Sequence, residues 1–300
     1  MATHQIKYKI QKLGEIFDLN KVLTVNTNKK SITKYYNVNQ LPYSFHSHDF
    51  VHMTIRRKGY TKKQGLLEQA NIVNKYIADK TKRVLELGTG RGGNSIYLAG
   101  KHPGVEFYGL DLPGGQINYA FKKANTLNNF YPTEGDFHNL AKFPEEYFDI
   151  VFVVEALCHS NEKGKVLSQV YRVLKKGGYF IIIDAFIGRD NLDDEELLAK
   201  GLVEKGMRVA NFENYKGFIK LLKIHNYHLI DEEDDSLNIL HTAKNFERDA
   251  KILLNLPKNI SKLLLKILPT EFTYNALSGY LMPDFLEQGL AKYMVVIVQK

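Results

Sequence analysis

Arg83-Val-Leu-Glu-Leu-Gly-Thr-Gly-Arg-Gly-Gly-Asn94 decides how this chain is read. A short apolar run, 83–87, leads into a loop carrying Gly88, Gly90 and Gly92, and a helix is expected from about Gly93. That order presents backbone rather than side chains to a ligand at the end of a parallel strand. A Cβ at these positions would block both the tight turn and the close approach. Glu86 stands two residues ahead of the first glycine. The pattern calls for a nucleoside-bearing cofactor and leaves open which one.

Outward from this loop, helical and strand patterns alternate. Helices are expected over 66–77, 116–127, 160–174 (closed by Lys176-Gly-Gly), 192–209 and 215–225. Further strands are expected over 106–110, ending at Asp111, and over 131–134, 148–154, 179–184, 227–230 and 293–298. The alternation predicts an α/β fold with a Rossmann-like, seven-stranded, mostly parallel sheet and flanking helices. About 60 residues separate the last two strands, too many for a loop in a compact domain, so a helical insertion is expected there. The expected organisation is an N-terminal helical and aromatic cap (1–65), the core (66–235), the helical insertion or lid (236–290) and the last core strand (291–300).

The bulk properties set limits. Three hundred residues can bury a sizeable core. The single cysteine, Cys158, excludes a disulfide framework and points to a reducing, cytoplasmic setting. Lys7, Lys9, Lys12 and Glu15 interrupt any signal-peptide-like apolar core near the N-terminus. The formal net charge of +8 is spread along the chain rather than gathered in one run, which does not favour a nucleic-acid partner.

The glycine loop alone also satisfies the dinucleotide fingerprint, with Gly88, Gly90 and Gly93 in register and Asp111 near the ribose-binding position. Glu86 argues against a dinucleotide, because a carboxylate at the strand end repels a pyrophosphate resting on a helix N-terminus. S-adenosylmethionine has no phosphate and carries an amino group and a sulfonium, which a carboxylate suits. Arg91 pulls the other way. Asp111 could accept from both ribose hydroxyls, or be a solvated strand-end residue. In Glu134-Gly-Asp136-Phe137, a carboxylate and the next backbone N–H could meet the adenine edge, although Gly-Asp-Phe is also an ordinary turn.

With these pieces in order, the chain resembles the class I S-adenosylmethionine-dependent methyltransferases. The resemblance rests on Glu86-Leu-Gly-Thr-Gly-Arg-Gly92, Asp111, Gly135-Asp-Phe137 and Arg172-Val-Leu-Lys-Lys-Gly-Gly178. Val154-Glu-Ala-Leu-Cys-His159 is similar to a segment of the sterol C-methyltransferases, and 238–289 is more similar to the insertion of tocopherol-type enzymes. The chain departs from the sterol enzymes in having no tryptophan and a different C-terminal third. The resemblance implies S-adenosylmethionine as cofactor, S-adenosylhomocysteine as product and a small, hydrophobic acceptor methylated at carbon, oxygen or nitrogen. It implies cofactor contacts from Glu86, Gly88, Thr89, Gly90, Gly92, Asn94, Asp111, Leu112, Gln116, Asp136, Phe137 and Glu155. An RNA or protein methyltransferase, a non-catalytic cofactor-binding protein and an NAD-dependent oxidoreductase are the rival readings.

Methyl transfer needs alignment, exclusion of water and, for most acceptors, one base near the methyl. Glu155 and His159, at the end of the fourth strand, are the candidates. Glu155 could instead orient the cofactor or cap a helix, and His159 could be an ordinary helix-start residue. Cys158 reads as a small buried filler. Tyr35, Tyr36, Tyr43, Phe45, His46, His48, Phe50 and His52 form a dense aromatic and imidazole segment, read either as a lid on the acceptor or as a cap on the sheet edge. From it Tyr35, Tyr36, Phe45, His46 and Phe50, with Tyr280 of the insertion, are the expected acceptor pocket. The histidine spacing lacks a carboxylate or thiolate partner, so no metal is expected. Lys258, Lys262 and Lys266 mark a cationic amphipathic helix over 252–268, either a lid with its lysines in water or a peripheral membrane contact. The acidic run 231–235 is expected to be a solvated loop. Nothing in the sequence fixes the oligomeric state; a homodimer is compatible with it.

Overall fold

The structure, a computed structural model, describes residues 2–40 and 49–300. Its strands are β1 (Arg83–Leu87), β2 (Glu106–Asp111), β3 (Phe130–Glu134), β4 (Phe148–Val154), β5 (Leu174–Ile187), β6 (His228–Asp234) and β7 (Ala291–Gln299). They form one seven-stranded sheet in the order β3-β2-β1-β4-β5-β7-β6. β7 runs antiparallel to β5 and β6, and the pairings from β3 to β5 are parallel. This is the expected Rossmann-like α/β architecture. The chain builds outward from β1 to β3, then restarts at β4 on the other side, and a ligand crevice opens where that order reverses.

Apart from Arg83, Glu86 and Asp149, β1 and β4 are apolar, because helices cover both faces of the sheet. Val84, Phe107, Phe152 and Ile181 face α4 (Lys62–Asn74), α5 (Gly93–Lys101) and α6 (Gly115–Ala124). Their neighbours Leu85, Val151, Phe180 and Ile182 face α7 (Lys163–Val173) and α9 (Tyr215–Ile224). A further apolar cluster joins α1 (Ala2–Ile16) and α2 (Leu19–Leu23) to α8 (Asp194–Met207), α10 (Ser236–Leu254) and α12 (Thr270–Glu287). Buried Lys9 of α1 locks this layer by pairing with Asp284 of α12 and, at 2.7 Å, with Glu247 of α10. The remaining helices are α3 (Lys29–Val38) and α11 (Lys258–Ile267).

Four local expectations differ from the structure. α4 begins at Lys62 rather than near 66, because Thr61 and Gln64 form a reciprocal capping box. Lys176-Gly-Gly does not close a helix: α7 ends at Val173 and β5 begins at once, with Gly177 at φ +71° where the register with β4 slips. The acidic run is not a loop. Residues 231–234 complete the edge strand β6, where exposed carboxylates discourage pairing with another chain. The stretch 252–268 is two helices, since Pro257 cannot continue α10.

Candidate functional site

Two cavities open side by side above the ends of β1 and β4. The first, about 530 Å³, is lined by Gly88, Gly90, Asp111, Leu112, Gln116, Gly135, Asp136 and Phe137, and on its far side by α3 and the turn before it. Its floor is built from backbone. Gly88 has φ +69°, and a Cβ there would lie 2.3 Å from the Cβ of Ala156 at the end of β4. Gly90, at φ +56°, has nothing within 4 Å of the Cβ it lacks. Its N–H donates to Asp111 Oδ2 (2.6 Å), and Leu112 N–H donates to Oδ1 (2.7 Å). Each carboxylate oxygen therefore keeps one acceptor site for a ribose hydroxyl. Burial pushes the Asp111 carboxyl up to about 6.

Glu86 has a different place from the one expected. It is buried, and its oxygens accept from Thr89 Oγ1 (2.7 Å), Ser95 Oγ (2.6 Å) and Asn94 Nδ2 (3.1 Å). Burial pushes its carboxyl up to about 7. Glu86, Thr89 and Asn94 line a small crevice beside the cavity, not the cavity itself. They shape the loop from behind. Gly92 is likewise structural: it starts α5 at φ +83° against the ring of Phe130. Gln116 accepts from Arg91 Nε (3.1 Å) and donates to the Tyr36 carbonyl (3.3 Å), joining α6 to α3.

Beyond the end of β3, burial opposes ionisation of Asp136. Lys29 and the N–H groups of His138 outweigh it and hold the carboxyl at about 2. His138 Nδ1 lies 2.6 Å from Asp136 and its Nε2 lies 2.7 Å from Ser160 Oγ. This carboxylate–imidazole–hydroxyl chain ends in a hydroxyl with no exposure, so it fixes Asp136 rather than arming a nucleophile.

The second cavity, about 440 Å³, is mostly apolar, with Val203, Met207, Val209, Phe212, Ile239, Phe246, Met282, Phe285 and Leu286 among its walls. Tyr36, Val51, Glu155 and His159 line both cavities. Glu155 has φ +51°, a left-handed conformation costly for a residue with a side chain and typical of functional positions. Its Oε1 accepts from Met53 N–H (2.6 Å) and Tyr293 Oη (2.7 Å), leaving Oε2 without a protein partner among the described residues. Burial, with Asp184 adding to it, pushes this carboxyl up to about 8. His159, like Glu155, is half-buried. Its Nδ1 lies 2.9 Å from the Arg208 carbonyl and so carries the proton, while its Nε2 lies 2.9 Å from Tyr36 Oη and accepts from it. Burial pushes the imidazole down to about 4, so it is neutral near pH 7.

Of the other expected pocket residues, Tyr35 lines the second cavity and donates to Asn275 Oδ1 at 2.7 Å. Phe50 does not: it packs on Gly93 and His52 behind the glycine loop. Tyr280 does not either. It is buried in the helical layer, beneath Lys9 and away from both cavities, because its face of α12 packs on α1. Phe45 and His46, with Tyr43 and His48, lie outside the described residues. The sequence reading missed Asp184, Tyr293 and Lys29. Asp184 was findable as the acid that follows the apolar run of β5; Tyr293 and Lys29 arrive from distant segments and carried no signal.

The fold and the first cavity resemble those of a methyltransferase domain of the S-adenosylmethionine-dependent class. Residues 85–182 match the family described as methyltransferase domain. A fatty-acid O-methyltransferase of Mycolicibacterium smegmatis is 36% identical over 47% of this chain and 51% of its own. Sterol methyltransferase-like 1 of Botryococcus braunii is 33% identical over 43% of this chain and 33% of its own. This chain thus spans between a third and a half of the length of these relatives. Among solved structures, the [4+2]-cyclase SpnF superposes with a TM-score of 0.71 at 16% identity, covering 92% of this chain and 97% of that one. A cyclase on the same fold means that the site, not the architecture, must carry the assignment of a reaction.

Proposed function

We propose that this chain transfers the methyl group of S-adenosylmethionine to a small, largely apolar acceptor held in the second cavity. The observation that supports this most is the meeting of the two cavities at Tyr36, Val51, Glu155 and His159. One cavity offers bare glycine backbone and a ribose-ready carboxylate; the other offers mostly apolar walls. Bound there, the sulfonium supplies an activated methyl, and the chain's own residues align the acceptor with it.

The proton that the acceptor loses is taken up by the Tyr36–His159 pair in this reading. Tyr36 Oη accepts it as the phenolic proton passes to His159 Nε2, with Nδ1–H steadied by the Arg208 carbonyl. An imidazole held near 4 is a weak base. It is sufficient once the acceptor has gained the methyl and become a strongly acidic cation. Glu155 is the second candidate base, because a neighbouring sulfonium favours its ionised form. Oxygen and carbon acceptors fit this scheme; a methylated amine is a weak acid and would give up its proton only after release to solvent.

We read 1–65 and 236–290 together as the cover over the acceptor. α11 supports a peripheral membrane contact within this reading, since Leu256, Ile260, Leu263 and Ile267 are exposed beside Lys258, Lys262 and Lys266. Among the described residues no helix is long and apolar enough to cross a membrane. The reading is tested by incubating the protein with methyl-labelled S-adenosylmethionine and a lipophilic small-molecule extract. Label should enter an organic product in step with S-adenosylhomocysteine, and Tyr36→Phe should slow it without loosening S-adenosylhomocysteine. Tight cofactor binding with no transfer to any acceptor would leave a binding protein instead.

A further inference from the structure

We infer that the acceptor is an anionic amphiphile, held with its charged end on Arg56 and Lys62 at the exposed rim of the second cavity and its neutral, methyl-accepting end at the floor. This inference rests on the methyl-transfer reading of the same cavity and specifies which molecules enter it.

The cavity is polarised along its length. Of its polar lining, Asp184 and Cys158 are buried and Glu155 and His159 half-buried, whereas Arg56, Lys62, His241 and Arg248 are exposed. Much of the remaining wall is apolar side chains from α8, α10 and α12. No other carboxylate than Glu155 and Asp184 lines it among the described residues.

The floor rejects an anion. Burial raises both the Glu155 and the Asp184 carboxyls, so negative charge is disfavoured there. A carboxylate or phosphate at the methyl-transfer point would meet the same penalty, with two acidic side chains beside it. An anion on the acceptor is therefore driven to the opposite end.

The rim is ready to receive it. Arg57 shows what a structural arginine looks like in this protein: it binds Glu68 (3.1 Å), Glu233 and Asp235 (3.1 Å) at once. Its neighbour Arg56 makes no ion pair among the described residues. Among the described residues, the hydrogen bonds of its guanidinium go to the Tyr60 carbonyl (3.4 Å) and His241 Nε2 (3.2 Å). Lys62, at the first position of α4, is likewise without a carboxylate partner among the described residues. Arg248 and Lys292 also line the cavity, but each already has one, Asp249 at 3.3 Å and Asp234 at 3.0 Å. Two unneutralised cations facing an apolar cavity of this size suit one anionic headgroup on a hydrocarbon body.

The test titrates dodecanoate, dodecyl phosphate and dodecanol, each below its micelle concentration, into the full chain by calorimetry. The inference expects at least one anion to bind about tenfold or more tighter than the alcohol. The tighter anion identifies the headgroup as carboxylate or phosphate. In Arg56→Glu/Lys62→Glu that preference should vanish, while dodecanol keeps its affinity. Equal binding of all three by the native protein, or a preference that survives the charge reversal, overturns the inference. Titration of S-adenosylhomocysteine into the same samples reports on the cofactor site alone, so a failure of the methyl-transfer reading shows up separately. Both substituted residues are exposed, which leaves the fold intact in the variant.

Discussion

The two cavities differ in what makes their walls. On the cofactor side the decisive groups are main-chain atoms and short side chains at the ends of β1, β2 and β3, fixed by the sheet itself. On the acceptor side they are long side chains from the segment after Val51 and from β5, β7, α8, α10 and α12, brought together by the packing of a second layer. A wall of backbone can change only if the fold changes. A wall of side chains can be altered one residue at a time while the sheet stands. The cofactor cavity should therefore tolerate almost no substitution, and the acceptor cavity should trade specificity freely.

The strongest way to break this contrast is Gly88→Ala. The added Cβ would meet Ala156 at 2.3 Å in a left-handed backbone conformation, so the end of β4 or the loop must move. S-adenosylhomocysteine affinity should fall more than about a hundredfold, with stability reduced by roughly 2–4 kcal/mol. Calorimetric titration beside thermal melting measures both, and near-native affinity would show that the loop is not the cofactor floor. Asp111→Ala comes next. It removes the acceptor that orders the Gly90 and Leu112 N–H groups as well as the ribose contact, and about thirtyfold weaker binding is expected. Unchanged affinity would take Asp111 out of the ribose site.

Tyr36→Phe tests the boundary between the cavities. In the proposed relay the phenol links His159 to the acceptor, so turnover should drop about tenfold to thirtyfold while S-adenosylhomocysteine affinity stays within about twofold. A loss confined to cofactor affinity would assign Tyr36 to the nucleoside instead.

Much of the cofactor half was legible from the sequence, because its features are local. β1 and β4 fall at their expected bounds: apart from Arg83, Glu86 and Asp149 they are short apolar runs buried between helices. The glycine loop, Asp111 and Gly135-Asp136-Phe137 follow strands at fixed offsets. Glu86 was placed correctly on its strand but given the wrong neighbours, because pattern cannot show that Thr89, Asn94 and Ser95 use its oxygens internally. The acceptor half resists reading for the opposite reason. Glu155 and Tyr293 are far apart in sequence and meet only across the sheet. Tyr280 has the chemistry of a pocket residue, and nothing in its local sequence reveals which face of α12 is buried. The acidic run hid an edge strand, because exposed carboxylates read as loop unless the neighbouring β7 is known.

A pH comparison of the two cofactor forms sharpens the shared wall. Glu155 is raised to about 8 against an ordinary value of 4.5, so its contribution to stability is full below 4.5 and fades as pH rises through 8. His159 runs the other way. Lowered to about 4 from 6.5, its contribution is present above 6.5 and is lost as pH falls towards 4. A sulfonium favours ionised Glu155, whereas the neutral thioether of the product does not. The affinity of S-adenosylmethionine relative to S-adenosylhomocysteine should then rise up to about tenfold between pH 6.5 and 8.5 and go flat in Glu155→Gln. A native ratio independent of pH would place Glu155 away from the sulfur.

The smallest expected effect lies outside both cavities, on α11. Leu263 is 56% exposed and Ile267 69%, on the helix that carries Lys258, Lys262 and Lys266. In water such side chains contribute little, so Leu263→Ser should leave the melting temperature nearly unchanged. At a bilayer the same leucine would enter the headgroup boundary, where burying it is worth about 1 kcal/mol, or roughly fivefold in partition. Co-sedimentation with vesicles containing about a third anionic lipid, a composition suited to the basic face of α11, measures it. A fivefold loss at constant stability would make α11 the membrane contact. An unchanged partition, or no binding by the native chain at all, would mean that this face serves something other than lipid and that the acceptor reaches its cavity from solution.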